Sequence, residues 1–126
     1  TAEGWVPEES PDRQWIYYSG HPAAEATNLR RAPSRGGEAI DVLPEQVAGR
    51  NFVVTKAGIW YMTPSPSLRD GSLLRFYDFA SKATRTVHRT EHPVRPGLTL
   101  APDGRRILFT QEDRRGADLM LVENFR

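Results

Sequence analysis

Ser10-Pro11-Asp12-Arg13-Gln14-Trp15-Ile16-Tyr17-Tyr18-Ser19 and Ala101-Pro102-Asp103-Gly104-Arg105-Arg106-Ile107-Leu108-Phe109-Thr110 are two copies of one phrase, 91 residues apart. Each joins a Pro-Asp turn to a strand-forming run of aromatic and branched residues, and each leads through polar, Gly-containing sequence to another apolar stretch. An interval of 91 residues holds two periods of about 45, the length of a repeat made of four short strands. A third copy then belongs near the middle. Asn51-Phe52-Val53-Val54-Thr55-Lys56-Ala57-Gly58-Ile59-Trp60-Tyr61-Met62 occupies that place, with Lys-Ala-Gly instead of the Pro-Asp turn and with the Gly-Ile-aromatic strand kept.

The turn has its own mechanics. Proline presets φ near about −65°, the Asp carboxylate accepts hydrogen bonds from amides a residue or two on, and glycine tolerates the left-handed conformation that closes the turn. Asp12, Asp103 and Gly104 are therefore read as turn-locking residues, not as catalytic acids or metal ligands. Arg13 stands where the other copy has Gly104, which is expected to weaken the first turn.

Working outward, short runs bounded by Gly, Pro, Asp or Ser predict four strands, four strands, then three. The first group is Gly4 to Pro7, Trp15 to Ser19, Asn28 to Ala32 and Glu38 to Val42. The second is Phe52 to Thr55, Ile59 to Thr63, Leu73 to Phe79 and Thr84 to Val87. The third is Gly97 to Leu100, Arg106 to Thr110 and Asp118 to Glu123. Turns at Gly36-Gly37 and Arg69-Asp70-Gly71 separate strands within the first two groups. One helical turn is expected somewhere in Pro22 to Arg31. The expected fold is all-β: a single partial β-propeller domain over residues 1–126, with blades at about 4–43, 50–90 and 95–126 and the last blade lacking its outer strand.

Composition narrows the function. Seventeen Lys and Arg against sixteen Asp and Glu leave a net charge of +1, too balanced for an electrostatic nucleic-acid footprint. No apolar run is long enough for a membrane helix. The absence of cysteine excludes a disulfide framework and thiolate metal sites, is compatible with a reducing compartment, and does not assign one. Thr1-Ala2-Glu3-Gly4-Trp5 has neither the basic start nor the apolar centre of a secretion signal, and with no initiator Met the expectation is a piece of a longer chain.

The two Pro-Asp phrases, with Trp15-Ile16-Tyr17-Tyr18 and Ile107-Leu108-Phe109 behind them, resemble the WD40-like Pro-Asp repeat of TolB-type β-propellers. The tail, from Gly97-Leu98-Thr99-Leu100 through Thr110-Gln111 to Asp118-Leu119-Met120-Leu121-Val122-Glu123-Asn124-Phe125-Arg126, is similar to the last blade of a narrower group. In those bacterial multidomain proteins such a propeller follows a winged-helix DNA-binding domain or a serine/threonine kinase domain. The resemblance implies a sensing or protein-interaction module and brings no catalytic or cofactor-binding residues with it. The alternative it leaves open is a gating propeller fragment of an oligopeptidase-type hydrolase.

Other motifs point to chemistry less well. His88-Arg89-Thr90-Glu91-His92 fits H-x-x-E-H, a zinc pattern that requires a helix to bring both imidazoles to one face. Pro93 and the strand-like Thr84 to Val87 argue for extended chain there, and His21 beside Pro22 reads as a loop residue. No Gly-x-Ser-x-Gly elbow, cysteine nucleophile or P-loop occurs. Arg30, Arg31 and Arg35, like Arg105, Arg106, Arg114 and Arg115, are interleaved with Glu38, Asp41, Glu112, Asp113 and Asp118, so both basic clusters read as solvated strand edges. The expected protein is non-enzymatic and needs no cofactor or metal. Known propeller rings use about four to eight blades, so three cannot close. A protein partner, missing blades or a second copy completing a six-bladed ring is therefore expected to cover the open flanks.

Overall fold

The computed structural model describes residues 7–19, 26–65, 71–113 and 116–123. Along them the aromatic and branched runs form β1 (Glu8–Glu9), β2 (Trp15–Ser19), β3 (Leu29–Pro33), β4 (Ile40–Asp41), β5 (Phe52–Val54), β6 (Gly58–Met62), β7 (Leu73–Asp78), β8 (Thr84–Arg89), β9 (Val94–Leu100), β10 (Arg106–Asp113) and β11 (Gly116–Glu123). These pair, neighbour to neighbour, into three antiparallel sheets: β1-β2-β3-β4, β5-β6-β7-β8 and β9-β10-β11. The protein is all-β, with no helix among the described residues.

The repeat is visible in the pairing. Pro33 faces Trp15, Asp78 faces Gly58 and Glu123 faces Arg106, so the third strand of each sheet recurs at intervals of 45 residues (33, 78, 123). The turns before the second strands carry the irregularity. In the first and last copies the Ser10 amide donates to the Trp15 carbonyl and the Ala101 amide to the Arg106 carbonyl, each across four residues. In the middle copy Thr55 donates to Gly58 across only Lys56 and Ala57, with the Thr55 hydroxyl also bonding both the Gly58 amide and carbonyl. Two residues fewer in that turn is why the middle phrase is hard to see in the sequence. Gly58 then takes the place held by Trp15 and Arg106, where a Cβ would lie 2.0 Å from the Tyr77 carbonyl oxygen.

The sheets are stacked through their first strands, β5 touching β1 on one side and β9 on the other. Alternation along β6 shows the consequence, because all five of its residues are buried. Ile59 and Tyr61 join Tyr17, Leu29, Val47, Phe52 and Val54 in a core against the first sheet, while Trp60 and Met62 join Leu74, Phe76, Leu98, Ile107 and Phe109 against the third. Each fully buried side chain of this kind contributes about 1.5–3 kcal/mol.

Local departures from expectation have local causes. Residues 4–6 lie outside the described residues, and the first strand is Glu8–Glu9. The helical turn expected within Pro22 to Arg31 is not present in its described part: Thr27 exchanges main-chain hydrogen bonds with Val47, and Leu29 onward is strand. Residues 22–25, together with Arg69 and Asp70 of the second expected turn, lie outside the described residues. The fourth strand of the first sheet shrinks to Ile40–Asp41 after two positive-φ glycines, Gly36 and Gly37. β9 begins at Val94 because Arg95 and Val94 pair with Thr110 and Gln111 through a register shift, at which Gly97 has φ +141°.

Candidate functional site: the cleft beside the first Pro-Asp turn

The two Pro-Asp turns are built alike. The Asp12 Oδ1 accepts the Gln14 amide at 3.0 Å, and the Asp103 Oδ1 accepts the Arg105 amide at 2.9 Å. The residue after each Asp is left-handed, Arg13 at φ 62° and Gly104 at φ 71°. Asp12 has one partner more, since the Ser10 hydroxyl donates to it at 2.6 Å where Ala101 has nothing to donate. That bond first, and the Gln14 amide second, hold the Asp12 carboxyl below the usual carboxylate range.

Beside this turn the first and second sheets part to leave a cleft of about 450 Å³. Its lining comes from the Pro11-Asp12 turn, the Thr55-Lys56 hairpin and the side chains of Trp15, Tyr17, Arg31 and Phe79. Strand alternation sets this up: Tyr17 and Trp15 share a face of β2, and their neighbours Arg31 and Pro33 share it on β3. The Arg31 guanidinium lies over Trp15, 4.1 Å from the ring centroid, and its Nη1 donates to the Tyr17 hydroxyl at 3.4 Å. Its Nε is buried with no hydrogen-bond partner. Neither Arg31 nor Lys56 has a carboxylate within ion-pair range among the described residues.

Two ionisable groups lie deeper in the same junction. Glu8 on β1 reaches across to β5, its Oε2 accepting the Val54 amide at 3.1 Å. Burial pushes the Glu8 carboxyl above its ordinary range and the amide bond opposes this in part. Tyr61 donates to Glu45 Oε2 at 2.5 Å, and Arg75 bridges the same carboxylate at 2.9 Å. Burial, then the Glu45 hydrogen bond and charge, drive the Tyr61 phenol well above its usual value.

The remaining sequence motifs are dispersed. His88 lies in β8, exposed, its ring centroid 6.0 Å from that of Phe109, while Glu91 and His92 follow in an exposed bend, so the one-turn helical spacing of the zinc pattern is not formed. Among the described residues no group of three or more His, Asp or Glu could hold a metal ion. Arg30 pairs with Asp41 at 3.2 Å and Arg106 with Asp103 at 3.7 Å, as strand-edge residues do. His21, Arg114 and Arg115 lie outside the described residues. Arg31 departs from the solvated-edge reading. The pattern Leu29-Arg30-Arg31-Ala32 holds the signal, since Leu29 turned inward carries Arg31 to the same face. No protein-family model matches the chain, and no curated protein matches it.

Proposed function

We propose that the three sheets are three consecutive blades of a TolB-type β-propeller. On this reading the chain is a non-enzymatic interaction or sensing module, serving within a larger bacterial regulatory protein or completing its ring by self-association. The observation that carries this is the recurrence of one neighbour-to-neighbour strand order, with third strands at 45-residue intervals, in sheets that touch through their first strands. In that frame Leu29, Leu74 and Leu119 are equivalent, as are Arg31, Phe76 and Leu121. The first two members of each set face the next sheet; Leu119 and Leu121 are 69% and 51% exposed. Apolar groups in that position support a fourth layer, supplied by further blades or by a second copy.

Light scattering on a size-exclusion column at micromolar concentration tests the reading. The isolated chain is expected to elute as an assembly of at least two copies, and the double change Leu119→Lys with Leu121→Lys to shift it toward monomer. A well-folded 14.2 kDa monomer of the unaltered chain would overturn the self-association.

A further inference from the structure

We infer that the cleft beside the first Pro-Asp turn is a binding site for a small aromatic carboxylate, held by Arg31 and Lys56. The repeat itself singles out Arg31. Its counterparts in the second and third sheets are Phe76, packed against Trp60 with centroids 4.5 Å apart and planes tilted by 46°, and Leu121. The fold is satisfied by an apolar group at this position, yet the first sheet places a guanidinium there. That guanidinium has no carboxylate in ion-pair range among the described residues, so its charge stands without a counter-charge beside the cleft. A ligand anion in the cleft supplies that counter-charge.

The cleft suits such a ligand in size and chemistry. About 450 Å³ falls within the roughly 300–1,000 Å³ of small-molecule sites. Tyr17 and Phe79, with ring centroids 6.5 Å apart and planes 28° from parallel, supply aromatic surface. A guanidinium held over Trp15 and lining the cleft is the group that pairs best with a carboxylate, and Lys56 adds a second positive charge. The carboxylate of Asp12, the acid in the lining, is already engaged by the Ser10 hydroxyl and the Gln14 amide. A ring-bearing anion fits this balance better than a cation or a bare phosphate.

Amide chemical-shift titration of the whole chain tests the site, with phenylacetate, its neutral isostere phenylacetamide and inorganic phosphate as probes. Phenylacetate is expected to give saturable shifts confined to residues 12–15, 31 and 55–57, and phenylacetamide to bind at least tenfold more weakly. Arg31→Gln should weaken phenylacetate at least tenfold. Lys56→Gln, at an exposed hairpin tip where folding is not at stake, should weaken it severalfold. Equal binding of the acid and the amide, unchanged binding in Lys56→Gln, or phosphate saturating the same residues at lower concentration would each overturn the assignment.

Discussion

The second sheet has two faces, and the junctions they form differ in kind. Toward the third sheet the contact is apolar, with Trp60, Met62, Leu74 and Phe76 meeting Leu98, Ile107 and Phe109. Its polar tie is the buried, neutral side chain of Asn51, whose Nδ2 donates to the Arg95 carbonyl while its Oδ1 accepts the Gly97 and Leu98 amides. Toward the first sheet the tie is a carboxylate, Glu8, and the junction also holds Tyr61, Glu45, Arg75 and the cleft with Arg31. Every ionisable group with a displaced pKa among the described residues, Glu8, Asp12 and Tyr61, lies on that side. One seam is apolar with a neutral tie, and the other carries ionisable groups.

The largest expected effect probes the apolar seam. Phe109→Ala should cost about 3–5 kcal/mol in denaturant unfolding, enough to unfold much of a marginally stable domain, whereas Ile59→Ala in the seam with the first sheet should cost about 2–5 kcal/mol. Equal costs from both would say the seams differ in chemistry alone. Next come the two ties. Asn51→Ala strands two amides and a carbonyl and should cost about 2–3 kcal/mol, with no dependence on pH.

Glu8 should behave otherwise. Its raised pKa means the folded state holds the proton to higher pH than the unfolded chain, so stability falls as pH rises from the ordinary carboxyl range through the raised value. Glu8→Gln keeps an acceptor for the Val54 amide and should raise the melting temperature at pH 7 while flattening that fall. A lower melting temperature at pH 7 would show the charge itself to be stabilising. The smallest effect lies in the turns. Gly104→Ala should lose about 1 kcal/mol, and Arg13→Gly should gain up to about 1 kcal/mol, because the same left-handed position is strained in one copy and relaxed in the other. Little of the Arg13→Gly gain should be offset by losing the exposed Arg13–Glu9 pair at 3.7 Å. Thermal melts of the two variants side by side measure both signs.

Most of the strands were legible because local pattern sets them. Trp15–Ser19 was read to the residue, and the turn role of Asp12, Asp103 and Gly104 follows from chemistry confined to a few neighbours. The cleft was not legible, since it depends on which face of β3 meets the second sheet. A one-residue change of register would send Arg31 to the other face and Arg30 inward. Asn51 was missed for a related reason: its partners lie 44 to 47 residues away in sequence. Glu8 spans a comparable distance to Val54. A strand-by-strand reading sees neither tie, because both belong to the stacking of sheets.

The enclosure of β6 between two layers has a consequence during synthesis. Trp60 and Met62 leave the ribosome well before Phe109, and at roughly 5–20 residues per second that gap is about 2–10 s. Through that interval a broad aromatic surface of the nascent chain has no cover, which makes it a natural landing place for chaperones and a weak point for misassembly between neighbouring polysomal chains.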